Sequence, residues 1–353
     1  MLNQLQQRVD LAYHDYLCQQ EQGVMAGTQD FLAASPSDLH APLATLLKDH
    51  AYVVRALRLM ACRLAPGVRI GDYLLLAEVG RGGVGVVWEA VEALAGRRVA
   101  LKVLRGLWQV APGTRKRFEA LVRAAARVNH PGIVRVFDLC EQDEVLLIAQ
   151  EFVPGGRTLA REIQDLREGR ATLPSGYFRE VAARAAAMAE ALAALHQAGV
   201  VHGWLKPSNV LLTPEGAPKV GDMGLAILHD EPRLPVSQGD PELPYYTAPE
   251  QVGAAAQGAD ARADVFSLGA VLYEMLTLCR PFAGETLQEL AGNIQAATPV
   301  APHRLRPQVP RELSAICRKA MAKSPERRYS TMERLAADLR SFLQHETLTG
   351  RAA

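Results

Sequence analysis

Cysteine, lysine and uninterrupted apolar sequence are all scarce in this chain of 353 residues. The five cysteines (Cys18, Cys62, Cys140, Cys279 and Cys317) are odd in number and widely scattered. They offer no disulfide framework, and no CxxC pair points to zinc or redox chemistry, so inert thiols in a reducing cytoplasm are expected. No run reaches the roughly 18 uncharged apolar residues that cross a bilayer. The nearest, Val265 to Leu278, is too short and is interrupted by Glu274. The N-terminus, MLNQLQQRVDLAYHDYL, lacks the apolar centre of a signal peptide. No membrane span is therefore expected. A net charge of +1 leaves no bulk field to hold nucleic acid or an anionic membrane. Only 7 of the 39 basic residues are lysine, so arginine is the default cation and each lysine invites a reason. What remains, 49% hydrophobic with 22% charged, is the mixture of a soluble globular protein. The length suits one large two-lobed domain plus a small extra one.

Residues 1–66 read as helical. Leu5, Val9, Ala12 or Tyr13, and Tyr16 recur at helical spacing, and a second helix is expected from about Asp38 to Met60 after Ser35-Pro36-Ser37. Ala65-Pro66-Gly67 punctuates the chain. From Ile70 the pattern changes to short β-rich runs: YLLLAEVG, VGVVWEAV and RRVALKVL. A helix over Thr114 to Val128 and two further strands, VRVFDLCEQ and VLLIAQEFV, follow. After Pro154-Gly155-Gly156 the chain turns helical, with a long Ala-rich helix from about Tyr177 to Ala198. Strands followed by helices is the ordering of an α+β fold with segregated lobes.

The chemistry-bearing residues are spread along this frame. Gly80-Arg81-Gly82-Gly83-Val84-Gly85-Val86-Val87 has the spacing G-x-G-x-x-G-x-V, in which glycines let a backbone approach phosphates closely. A plain β-turn would explain it alone, but it opens a hairpin rather than a strand–helix turn, which disfavours a dinucleotide site. Lys102 follows on a strand in VALK. His202-Gly203-Trp204-Leu205-Lys206-Pro207-Ser208-Asn209, Gly221-Asp222-Met223-Gly224, Ala248-Pro249-Glu250, Asp264 in DVFSLG and Arg328 in SPERRY complete the set.

From Arg69 to Phe342 these motifs, in this order, resemble the eukaryotic-like (Hanks-type) Ser/Thr protein kinases of bacteria. The resemblance implies a two-lobed kinase-like α+β fold over residues 67–353, with a β-rich N-lobe over about 67–153, a helical C-lobe over about 154–346, and a short all-α extension before it. It implies ATP as ligand. Gly80, Gly82 and Gly85 would cover the phosphates and Lys102 would pair with them. Glu151 to Val153 would form the hinge that bonds the base, with Gln150 as gatekeeper and Val87, Ala100 and Leu211 around the ring. Asn209 and Asp222 would bind Mg²⁺, and Lys206 would meet the transferring phosphate. Asp264 would anchor the catalytic loop and Arg328 would pair with Glu250.

Four positions depart from the family pattern. Trp204 stands where the family has the catalytic Asp, and an indole has no acceptor with which to take the substrate proton. Gly203 replaces the Arg that holds an activating phosphate. Counting back from His130-Pro131, Leu121 occupies the place of the Glu that pairs with the strand lysine; Glu119 lies two residues away, roughly 200° around a helix. Glu242-Leu243 replaces a Gly-Thr whose hydroxyl bonds the catalytic groups. The damage falls on proton transfer and activation, while the ATP side stays nearly intact. The expectation is a pseudokinase that binds ATP, with Mg²⁺, and regulates unidentified protein partners in the cytoplasm, with homodimerisation left open. Two alternatives stand beside it. One is an active kinase of low or atypical activity, with Asp240 or Glu242 partly substituting for the base. The other is a scaffold that binds no nucleotide, Trp204 filling part of the cleft.

Overall fold

The computed structural model describes residues 8, 12, 35–44, 47, 64–82, 85–104, 112–142, 145–223, 243–252 and 260–349. The chain divides into two compact units, Met1–Ala65 and Pro66–Ala353. In the first, a 3-10 turn at Ser37–Leu39 runs into helix at 40–44, and Arg8 Nη1 pairs with Asp38 at 2.7 Å. Leu39, Leu43 and Leu47, spaced four apart, are buried. Leu5, Val9, Tyr13, Tyr16 and Met60 lie outside the described residues.

The second unit begins with a six-stranded antiparallel sheet in the order β1-β2-β3-β4-β6-β5. Its strands are β1 (Arg69–Ile70), β2 (Tyr73–Gly82), β3 (Gly85–Glu92), β4 (Arg98–Leu104), β5 (Val136–Gln142) and β6 (Val145–Glu151). Strand β4 is buried from Val99 through Leu104, as an apolar run covered on both faces should be. Lys102 is the one charge inside that run. Helix α1 (Pro112–Ala126) lies between β4 and β5 in sequence, with Phe118, Val122 and Ala125 buried.

The helical lobe follows. Its elements are α2 (Leu159–Arg167), α3 (Tyr177–Gln197), β7 (Val210–Leu212), β8 (Pro218–Val220), α4 (Ala261–Thr277), α5 (Leu287–Ala296), α6 (Pro302–Leu305), α7 (Arg311–Ala320) and α8 (Met332–Thr349). Alanines at 182, 185, 186, 189 and 191 line the buried side of α3 and leave room for α4 and α8 to approach closely. Helix α4 starts at an Asp260 cap that accepts from Arg262 N, and Ala263 through Thr277 are all buried. The fold is that of a protein kinase, a β-rich lobe followed by a helical one, as expected from the ordering of patterns. Among the described residues no helix is long and apolar enough to cross a membrane.

The two lobes are stitched where β8 meets the segment before β5. Val134 N donates to Val220 O and Val220 N to Gly132 O, both at 2.8 Å. That seam brings the residue pair after β8, Gly221-Asp222, beneath β4.

Candidate functional site

Lys102 lies opposite Val87 of β3 and Ile148 of β6, and its side chain is only 7% exposed. A buried ammonium needs a counter-charge. It finds one in Asp222, whose Oδ1 accepts from Nζ at 2.7 Å. Burial pushes the Asp222 carboxyl up. The Lys102 charge and hydrogen bond, aided by His202 and Lys206, outweigh that and hold it below the ordinary aspartate value. Asp222 also sits at φ +62°, a left-handed backbone that costs a non-glycine residue about 1–2 kcal/mol. Its neighbours hold it there: Gly221 N donates to Asn209 O at 2.9 Å, and His202 Nε2 donates to Gly221 O at 2.8 Å.

The loop from Val200 to Asn209 is built around the carboxylate of Asp264, which is fully buried in α4. Oδ2 accepts from His202 N at 2.8 Å and from His196 Nε2 at 2.7 Å, and Oδ1 accepts from Gly203 N at 2.7 Å. Gly203 has φ +66°, which glycine adopts without strain. His202 Nδ1 accepts from Trp204 N at 3.2 Å, and Asn209 Nδ2 donates to Trp204 O at 2.8 Å. The Trp204 backbone is thus pinned at both ends, and the residue, 3% exposed, belongs to a hydrophobic core that draws on both lobes. Lys206 is buried beside it, with Nζ 5.9 Å from the ring centroid. Met223 is buried as well.

Leu121 is half-buried and packs against the core. Glu119 turns to Arg115, whose Nε donates to it at 2.9 Å; Arg115 also bonds Glu141 at 2.5 Å. Among the described residues the ion-pair partner of Lys102 is therefore Asp222 and no glutamate.

On the sheet side, Gly80 is paired with Val87 and Gly82 with Gly85 across the β2–β3 hairpin, while Gly83 and Val84 lie outside the described residues. A Cβ on Gly85 would come within 2.1 Å of Val103 O, so the close approach of β4 demands glycine there. Ala100 and Gln150 are buried and paired across β4 and β6. Glu151 ends β6, Val153 is buried two residues on, and Leu211 on β7 is half-buried and bridged to Thr158. Leu243 opens a 3-10 turn, Leu243–Tyr246; Asp240, Glu242 and Gly224 lie outside the described residues.

Arg328 forks onto Glu250 with two bonds of 2.6 Å and is tied by three more to Ala322, Lys323 and Arg262 carbonyls. Sequence reading missed two clusters. Glu274, visible in sequence only as an interruption of an apolar run, is buried and bonded by Arg167 (2.5 Å) and the Tyr246 hydroxyl. It lines a cavity of about 410 Å³ with Arg161, Arg167, Pro207 and Arg280. Lys219 of β8 grips Glu151; its rarity as a lysine was the available signal.

A lysine on the fourth strand of the sheet, a Gly–Asp pair beneath it and a loop hung on a buried helix aspartate define a protein kinase domain. The protein kinase domain family matches residues 73–340, and this chain belongs to the Hanks-type Ser/Thr protein kinase family of bacteria. It is similar to a "probable serine/threonine-protein kinase" of Streptomyces coelicolor, 34% identical over 80% of this chain and 42% of the relative. It is also similar to the serine/threonine-protein kinase PrkC of Bacillus subtilis, 32% identical over 80% and 42%. The chain thus spans less than half the length of these relatives. Among solved structures, the PknI kinase domain of Mycobacterium tuberculosis superposes with a TM-score of 0.63 at 27% identity, over 79% of this chain and 99% of that one.

Proposed function

We propose that this chain is a pseudokinase: a cytoplasmic protein that binds ATP in the kinase cleft and regulates protein partners without efficient phosphoryl transfer. The observation that carries the proposal is the burial of Trp204 at the base position. No carboxylate stands there, and the indole is part of the core.

The residues present fit a magnesium nucleotide. Asp222 supplies a carboxylate held in its ionised form, and Asn209 commits its NH₂ end to Trp204 O, leaving the oxygen end for a hard cation. Lys102 and Lys206 are the ammonium groups that would meet phosphate oxygens, and Gly80, Gly82 and Gly85 belong to the hairpin that would cover them. The hinge over Glu151 to Val153, with Val87, Ala100 and Leu211, would take the adenine. Magnesium, when bound, neutralises phosphate charge.

Thermal unfolding of the full chain with millimolar ATP, with and without Mg²⁺, tests binding; the expected result is a rise in Tm, and no shift would favour a scaffold that binds no nucleotide. Transfer of labelled phosphate to itself or to a generic protein substrate tests chemistry. Loss of a general base costs about 10²- to 10⁴-fold, so transfer at or below that residue of activity is expected. Robust transfer abolished by Asp222→Ala would replace the pseudokinase assignment with an active kinase.

A further inference from the structure

Lys219 sits astride both oxygens of the Glu151 carboxylate, 2.9 Å from Oε1 and 3.0 Å from Oε2. The same carboxylate accepts from Arg135 N at 3.2 Å, while Glu151 N donates to Arg135 O at 2.8 Å. Three segments meet at this point: the end of β6, the approach to β5, and β8. Lys219 precedes Asp222 by three residues, and Glu151 opens the hinge. The ion pair therefore joins the two ends of the nucleotide site across the lobe seam. The Lys219 side chain is 15% exposed, so solvent screens it far less than a surface lysine. The backbone bonds of the seam, Val134 to Val220 and Val220 to Gly132, reach Glu151 only through the neighbouring Arg135 main chain, whereas the ion pair joins β8 to it directly.

We propose that Lys219 and Glu151 form a positioning pair for the nucleotide base. The pair would fix the Glu151 backbone at the angle the base must meet, and tie that angle to the β8 end that carries Asp222. The inference rests on the nucleotide-binding reading above. Neither side chain touches the nucleotide in this role; the lysine acts through the glutamate, and the glutamate through its own main chain.

The test compares adenosine, which has the base but no phosphate, with ATP, on the full chain. Lys219→Met and Glu151→Gln should each weaken both ligands in parallel by about two- to fivefold, the scale of a partly exposed ion pair. Lys219→Arg should keep wild-type affinity, and the exchange Lys219→Glu with Glu151→Lys should recover most of the loss. The unfolding midpoint of the nucleotide-free variants should move by only a few degrees, which separates positioning from general destabilisation. Unchanged affinity in Lys219→Met, with wild type binding normally, overturns the proposal. A loss confined to ATP also overturns it, because it assigns Lys219 to the phosphates. If wild type binds neither ligand, the nucleotide reading itself falls and the pair has no base to position.

Discussion

The back of the catalytic loop and its front have diverged. Behind the loop, Asp264 still receives bonds from His196, His202 and Gly203, and Arg328 still forks onto Glu250. In front, Trp204, Gly203 and Leu121 stand where the resemblance to the family leads one to expect an aspartate, an arginine and a glutamate. Lys102 has settled on Asp222 instead of a helix glutamate. The contrast separates two requirements that an active kinase meets with the same loop. Holding its shape is the work of buried polar groups whose loss would leave unsatisfied donors in the core. Moving a proton is the work of one carboxylate that lies outside this buried set. A chain can therefore abandon the second and keep the first.

Breaking the rear side should have the largest effect. Asp264→Ala orphans one buried donor, His202 N, at about 1–3 kcal/mol and two partly buried ones, His196 Nε2 and Gly203 N, at less, together a large part of the roughly 5–15 kcal/mol a domain holds. Chemical denaturation should show collapse of cooperative unfolding or a steep fall in midpoint; a stable variant would mean the loop does not hang on this residue.

Trp204→Asp asks on which side of the contrast Trp204 belongs. With its indole in the core, the change should cost about 3–5 kcal/mol, as for other large-to-small core substitutions, so any phosphoryl transfer gained, alone or with Leu121→Glu, should come with a steep fall in denaturation midpoint. Activity gained at unchanged stability would place Trp204 on the chemical face alone.

Gly203→Ala is the mildest probe. It puts a Cβ on a left-handed backbone and should cost about 1 kcal/mol, read as a small drop in denaturation midpoint. A neutral result would show that the loop relaxes locally.

Much of the fold could be read from the chain itself. Strands β2 to β6 and helices α1 and α3 announced themselves by period and punctuation, and fall within a few residues of the expected limits. Lys102, Asn209, Asp222, Asp264 and Arg328 were legible because motif spacing survives when folding separates residues. Strands β1, β7 and β8, of two or three residues each, are too short to show a period. The Lys219–Glu151 pair was hidden because its members lie 68 residues apart, and neither the hinge pattern nor the rarity of lysine says that the two meet. Trp204 was visible as a substitution, but its burial was not, since an indole at that position is equally compatible with a filled cleft or an enlarged core. Glu274 served in sequence to weaken a membrane span; in the fold it is a buried acid made tolerable by Arg167 and Tyr246.

The buried indole also bears on the history open to such a chain. Any lineage that places an acid at position 204 passes through a form that has lost a core side chain. That intermediate is selected against for its stability before it can be selected for its activity. The substitution behaves as a ratchet: the more stability the indole supplies, the steeper the step to any smaller or charged residue in its place.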